Sequence, residues 1–261
     1  MENKLSKPSI PHIIHYCWFG GKEKPDSIMK YINGWKEILF DYQFVEWNEK
    51  NFSIKDAPLY VREAYSVHKY AFVSDYVRIN ALSQYGGVYL DTDIEVVKRF
   101  DEVLEGYDMV LGFESDRSLE TAFMACNKDN LYIKNFCNTY QNRRFILDDG
   151  TYDMSVINQH FSNYMQRYGV DLDIEEYRII EKYNIVIYPR EYFAAFDVKN
   201  WHINPTTNTY TIHHMNASWS SNKRKLYFNT IKFIQRLFGY RGYDRIKKIY
   251  DSLRGRDEKN K

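Results

Sequence analysis

Two aspartates one residue apart, Asp91 and Asp93 in the stretch GGVYLDTDIEV (residues 86–96), follow a run of bulky apolar residues that reads as a short buried strand. Two carboxylates so close repel each other, and each loses hydration where a buried strand ends. The pair needs a positive partner or open water. In open α/β sheets ligands gather beyond the carboxyl ends of the strands. A carboxylate pair there suits a hard divalent cation, Mg²⁺ or Mn²⁺, bridging to phosphate oxygens. The spacing alone is weak: with 19 Asp in the chain, about one D-x-D is expected by chance. Asp171-Leu172-Asp173 is indeed a second, and it opens the acidic run DIEEY as a helix N-terminal charge cluster.

Other side chains carry chemistry of the same kind. Asp75 and Arg78 are three residues apart, so they share a helix face. They read either as a surface ion pair worth a few tenths of a kcal/mol or as acceptor and fork donor for sugar hydroxyls. His213 and His214, in HHMNASW (residues 213–219), point to opposite faces of a strand. Trp18 and Trp219 each bring an indole N–H donor. Glu95 and Glu114 fall near strand ends, where solvation is the default.

The elements that must hold these residues follow from periodicity. IPHIIHYCWFGG predicts a first strand, Ile13 to Phe19, stopped by Gly20-Gly21. KPDSIMKYINGWKEIL predicts a helix with Asp26 or Ser27 as cap and Ile28, Ile32, Trp35 and Leu39 in one stripe. YQFVEW alternates as a strand. Residues 58–85 form a long helical stretch, broken once, with Val73, Val77 and Leu82 in its stripe and Gly86-Gly87 ending it. Val88 to Leu90 and DMVLGFE are strands, residues 118–168 are mostly helical, and YNIVIYP and TNTYTIHHM are late strands. Strands alternating with helices predict an α/β fold with a largely parallel sheet.

Residues 72–96, FVSDYVRINALSQYGGVYLDTDIEV, carry the pattern S-D-x-x-R followed by G-G-x-Y-x-D-x-D, with IPHIIHYCWFGG before and IHHMNASW after at matching places. Over about residues 10–219 the chain resembles the DxD glycosyltransferases of family 32, which include capsular polysaccharide enzymes and initiating mannosyltransferases, with the glucosylating domains of clostridial toxins as distant relatives. The resemblance implies a GT-A fold, a Rossmann-like nucleotide-binding α/β domain with a mixed sheet. It implies that Asp93 ligates Mn²⁺ or Mg²⁺, that Asp91 contacts ribose or donor sugar and supports the metal, and that Asp75 and Arg78 bind donor hydroxyls. Trp18 would lie near the base and Trp219 would reach the diphosphate. One of His213 and His214 would complete the metal shell, and a pattern of one essential histidine followed by a variable residue favours His213. The activity implied is transfer of a hexose, with retention, from a UDP- or GDP-sugar to a glycan or lipid-linked glycan in surface polysaccharide synthesis. Which nucleotide, sugar and acceptor are used is not legible from the chain.

Length and composition fit this reading. The 261 residues suit one large α/β domain or two small ones. The 24 Tyr suit carbohydrate or nucleotide contacts and also fill cores. Cys17, Cys126 and Cys137 are scattered and odd in number, predicting neither disulfides nor a zinc site, with a reducing cytoplasm as the expected home. Pro11, His12 and His15 interrupt the apolar stretch that a secretory signal needs, and no run approaches the roughly 20 apolar residues of a membrane span.

Charge is divided unevenly. Residues 223–261 hold 13 Lys and Arg against 4 Asp and Glu, a net +9, which leaves −8 for residues 1–222. Residues 1–222 are read as the catalytic domain and 223–261 as a basic, amphipathic helical extension, with Tyr227, Ile231, Ile234 and Phe238 in one stripe. Such a tail packs against the acidic body or docks on an anionic membrane from the cytoplasmic side. Charge alone also allows nucleic acid, but no recognition motif accompanies it. Two rival functions stand beside the transferase. One is a haloacid-dehalogenase-like phosphatase using Asp91 and Asp93, with Asp148-Asp149 as its later acids. The other is a sugar-binding protein that has lost catalysis.

Overall fold

The computed structural model describes residues 10–115, 117–197, 202–215 and residue 230. The expected helical extension over 223–261 and Trp219 therefore lie outside the described residues, Thr230 apart. In chain order the strands are β1 (Ile13–Cys17), β2 (Gln43–Trp47), β3 (Gly87–Leu90), β4 (Ile94–Val96), β5 (Met109–Ser115), β6 (Ser118–Leu119), β7 (Phe123–Cys126), β8 (Arg178–Ile180), β9 (Ile185–Tyr188), β10 (Phe196–Asp197), β11 (His202–Ile203) and β12 (Thr211–His213). The helices are α1 (Asp26–Ile38), α2 (Leu59–Ser66), α3 (Tyr70–Tyr85), α4 (Asp101–Leu104), α5 (Leu131–Asn138), α6 (Ile157–Gln166) and α7 (Arg190–Phe193).

Local sequence explains most of these bounds. α1 starts behind Pro25, whose fixed φ suits the helix edge, and neither Asp26 nor Ser27 caps it through a side chain. Asp26 instead places its charge in the first turn, at the positive end of the helix. The expected break in the 58–85 stretch falls between α2 and α3, where His68 takes a positive φ of 59°. Gly86 and Gly87, at φ 65° and 95°, turn the chain from α3 into β3. A Cβ on Gly86 would lie 2.5 Å from the Lys128 nitrogen, and one on Gly87 2.6 Å from the Ile13 carbonyl oxygen, so both positions require glycine.

Two expectations are corrected. Asp171-Leu172-Asp173 opens no helix, since residues 171–177 are irregular. Residues 118–168 are not mostly helical, because β7 runs through them at the centre of the sheet. Its four residues, Phe123, Met124, Ala125 and Cys126, are buried on both faces, so the run lacks the alternation that marks a half-buried strand. The late strand β8 was likewise not predicted.

The main sheet has the order β2-β1-β3-β7-β5-β9-β8, with β6 on β5. β1 pairs parallel with β2 and β3, β5 pairs parallel with β9, and β7 runs antiparallel between β3 and β5. β2, β1, β3, β5 and β9 therefore share one direction and end on one rim. The order reverses at β1: the chain leaves it through α1 to β2 on one side and returns through α2 and α3 to β3 on the other. Crevices at such reversals are where α/β sheets bind ligands.

The two faces bury separate cores. Ile14, Tyr16, Val88, Leu90 and Val110 meet α1 through Ile28, Ile32 and Trp35. Cys17, Tyr89, Met109 and Leu111 meet α2, α3 and α5 through Val61, Val73, Val77 and Phe136. All three cysteines are buried and free. Among the described residues, no helix is long and apolar enough to cross a membrane.

Candidate active site

Asp91 is the first residue beyond β3, on the rim beside the reversal point. Its amide N–H donates to the Ala122 carbonyl at 2.9 Å, and the Ile94 N–H donates back to the Asp91 carbonyl at 3.0 Å, closing a turn around Asp93. The chain then enters β4, which pairs antiparallel with β12 so that His213 stands opposite Ile94. That register brings a residue 120 positions away in sequence beside Asp93, with His213 Nε2 at 3.5 Å from Asp93 Oδ1. The Trp35 indole of α1 donates to the Ile94 carbonyl at 2.8 Å and fixes the turn from below.

α3 supplies the cation between the carboxylates. Arg78 is only 5% exposed. Its Nη2 meets Asp75 Oδ1 at 2.9 Å and Asp91 Oδ1 at 3.2 Å, while Nη1 donates to the Thr121 carbonyl at 2.7 Å. The guanidinium lies 4.7 Å from the centre of the Tyr89 ring, and the Tyr89 hydroxyl donates to Asp91 Oδ1 at 2.8 Å. Arg78 Nε is buried without a hydrogen-bond partner. The positive partner that the carboxylate pair needs is thus already present on one side, and it binds Asp75 and Asp91 together.

Burial sets the titration of this group. It pushes the Asp75 carboxyl up to about 6, with the Asp91 charge adding and the Arg78 charge opposing. Burial also raises Asp91, where Arg78 opposes and Asp93 adds. His213 departs the other way: burial works against its charged form, yet the carboxylates of Glu120 and Asp93 outweigh it and hold the ring well above its ordinary value.

Asp91, Asp93 and His213 each offer a ligand atom, and these atoms lie within 4.8 Å of one another. Two carboxylates and one imidazole are a donor set that fits a divalent cation such as Mn²⁺ or Mg²⁺. His214 has a different place. Its Nε2 lies 2.7 Å from Glu95 Oε2, its ring stacks on Tyr31 at 4.8 Å, and its backbone N–H donates to the Asp93 carbonyl at 3.1 Å. It therefore braces the turn from the opposite face of β12 and is not part of the ligand cluster. Trp18 follows β1 on the same rim, partly buried, with its indole N–H donating to the Lys22 carbonyl at 2.6 Å.

A buried and a half-buried carboxylate complete the neighbourhood. Glu120, fully buried, accepts from His213 Nδ1 at 3.1 Å, and Glu114 and Glu120 form a second ligand cluster with His213. Burial pushes Glu114 up to about 7, with the Glu120 charge adding and His213 opposing. Glu120 has no local sequence signal, since its partner lies 93 residues away. Glu114 is shielded, contrary to the solvated default. The acids of the phosphatase alternative sit elsewhere: Asp148 is fully exposed, and Asp149 accepts from its own turn at Thr151. Among the described residues neither joins a ligand cluster with Asp91 and Asp93.

Residues 25–110 match the family model described as the glycosyltransferase sugar-binding region containing a DXD motif. That span covers α1 through the start of β5 and includes Asp75, Arg78, Asp91 and Asp93. The chain is 31% identical over 100 residues to an uncharacterized glycosyltransferase of Acanthamoeba polyphaga mimivirus, an alignment spanning 36% of this chain and 40% of that relative. Among solved structures, it is similar to the PaToxG glycosyltransferase at 17% identity and a TM-score of 0.47, over 60% of this chain and 68% of that one. A glycosyltransferase involved in glycosylation of the major capsid of PBCV-1 is similar at 12% identity and a TM-score of 0.44, over 85% of this chain and all 100% of that one.

Proposed function

We propose that the whole protein is a metal-dependent, retaining glycosyltransferase of family 32 with a GT-A fold. It moves a hexose from a UDP- or GDP-sugar to a glycan or lipid-linked glycan in surface polysaccharide synthesis on the cytoplasmic side of a membrane. The observation that supports this best is the convergence on one rim of Asp91 and Asp93 from the β3–β4 turn, His213 from β12, and Asp75 with Arg78 from α3.

In this reading Asp93, Asp91 and His213 hold Mn²⁺ or Mg²⁺. An ion held there would supply Lewis-acid neutralisation of the charge on a departing nucleoside diphosphate. Arg78 holds Asp91 in place, and Asp75, on the same guanidinium, accepts from a donor-sugar hydroxyl. Trp18, at the end of β1, lies toward the nucleotide base, and the indole of Trp219 donates to the diphosphate. The two neighbouring carboxylates are engaged: Glu120 by His213 and the Ala122 N–H, Glu114 by Asn158 and Ser118. That favours same-face transfer, in which the donor phosphate takes the acceptor proton and the protein supplies no nucleophile. A covalent glycosyl adduct trapped on a carboxylate overturns this route.

The assignment is tested by a hydrolysis screen across UDP- and GDP-sugars with Mn²⁺, run on the wild-type protein and on Asp93→Ala. The expected result is turnover of a nucleotide sugar by the wild type that is lost in the variant. Turnover that survives Asp93→Ala overturns the assignment.

A further inference from the structure

We infer that Glu120 is a positioning residue, one that turns the imidazole of His213 toward the cation site; the inference rests on the metal-binding reading above. His213 is held at both its backbone and its ring. Its backbone N–H donates to the Ala194 carbonyl at 2.9 Å, and β12 pairs with β4 at Ile94. Those bonds place the Cα beside Asp93, but they leave the ring free to turn about its side-chain torsions. The ring orientation is set by Glu120. Glu120 lies between β6 and β7 and is fully buried. One of its oxygens accepts from the Ala122 N–H at 2.6 Å, and the other faces His213 Nδ1 at 3.1 Å.

The Glu120 oxygen that faces the ring accepts, so Nδ1 is the nitrogen that donates to it. When a cation takes the place of the proton on Nε2, the lone pair it meets is on that nitrogen, 3.5 Å from Asp93. A carboxylate behind a metal-binding histidine fixes ring and tautomer in this way, and its loss typically weakens metal binding about 10–100-fold. The Ala122 N–H that locks Glu120 lies next to the carbonyl that receives the Asp91 N–H. One short segment, Glu120 to Ala122, therefore sets the Asp91 turn, the Arg78 fork through Thr121, and the His213 ring.

The second cluster, Glu114, Glu120 and His213, offers the competing arrangement, with an ion on the Nδ1 side. Two features favour the Asp91 and Asp93 side. Those side chains keep 27% and 17% exposure, so a phosphate can reach an ion there, whereas Glu120 is at 0%. The Glu120 oxygens are also already bonded to the Ala122 N–H and to the ring.

The test is Mn²⁺ affinity measured without any donor, by the electron paramagnetic resonance of free Mn²⁺. The proteins compared are wild type, Asp93→Ala, Glu120→Gln, Glu114→Gln, His213→Ala and the double variant Glu120→Gln/His213→Ala. Asp93→Ala is expected to abolish binding and Glu120→Gln to weaken it about 10–100-fold. The double variant should bind no more weakly than His213→Ala alone, because a residue acting through the ring has nothing to position once the ring is gone. Melting curves of the same samples verify folding. If Glu120→Gln does not fold, Glu120→Asp carries the comparison, since its shorter arm withdraws the charge from Nδ1. Wild-type affinity in Glu120→Gln, or additive losses in the double variant, overturns the positioning role while Asp93→Ala still abolishes binding. Binding that survives Asp93→Ala but is lost in Glu114→Gln moves the ion to the other side of the ring and overturns both readings.

Discussion

At the scale of single residues, the site depends on Arg78. One buried guanidinium serves Asp75, Asp91 and the Thr121 carbonyl, and each of those oxygens was desolvated to meet it. Removing one partner of such a group leaves uncompensated buried charge, at a cost of about 3–5 kcal/mol. Arg78→Met, similar in length and without charge, is expected to lose that much in urea unfolding at pH 7. Arg78→Lys should recover only part of it, because a point charge does not reproduce a planar fork. The deficit should also depend on pH, and the sign follows from Asp75. Its folded carboxyl sits at about 6, above the ordinary 3.8, so it resists ionisation more in the folded than in the unfolded chain. The stability this contributes is fully present below the ordinary value and is lost as pH rises through about 6. Without the opposing Arg78 charge the folded value climbs further. The Arg78→Met deficit should therefore shrink between pH 7 and pH 5, and a deficit equal at both pH values contradicts the account.

At the scale of elements, His15 locks the strands that flank the reversal point. The Trp47 indole donates to Nδ1 at 3.2 Å, so the remaining ring N–H on Nε2 donates to the Gly86 carbonyl at 2.9 Å. One neutral ring thereby joins β1, β2 and the glycine turn that feeds β3. Burial pushes its pKa down to about 4, with the bond to Gly86 opposing. A folded value below the unfolded one means that the unfolded chain binds the extra proton. Stability is full above about 6.5 and is lost as pH falls toward 4, by about 3 kcal/mol in total. His15→Gln is expected to flatten that part of the pH profile while lowering stability at pH 7, as read from urea midpoints; an unchanged slope contradicts it. Much of this frame was legible in the sequence. Ile28, Ile32 and Trp35 announced α1, the glycine pair announced the end of α3, and the alternation Ile14, Tyr16 against His15, Cys17 follows from the strand period. What escaped is equally specific. Phe123 to Cys126 is apolar on both faces and so carries no period, and Glu120 earns its meaning only from a histidine 93 residues further on. The D-x-D was readable because its ligands are adjacent in the chain; the segment that orients its histidine was not, because that relation exists only after the sheet has formed.

At the scale of the whole molecule, the uneven charge bears on the proposed membrane contact. Residues 1–222 carry a net −8 and residues 223–261 a net +9, so the chain as a whole, at +1, hides a strong charge asymmetry along the sequence. On the proposed reading, an anionic membrane repels the charge of the first part and attracts that of the second. Each Lys or Arg near an anionic surface contributes about 1 kcal/mol, and the attraction decays within a Debye length of about 10 Å at 0.1 M salt. Changing Lys223, Arg224 and Lys225 together to Glu removes three attractions and adds three repulsions. The substituted protein is therefore expected to bind vesicles containing phosphatidylserine at least about 100-fold more weakly than the wild type. Flotation of both proteins at low salt measures this directly. Wild-type protein should rise with anionic vesicles, fall away as salt is raised, and ignore vesicles of phosphatidylcholine alone. Equal flotation of the two proteins, or binding that is indifferent to salt, overturns electrostatic docking through these residues.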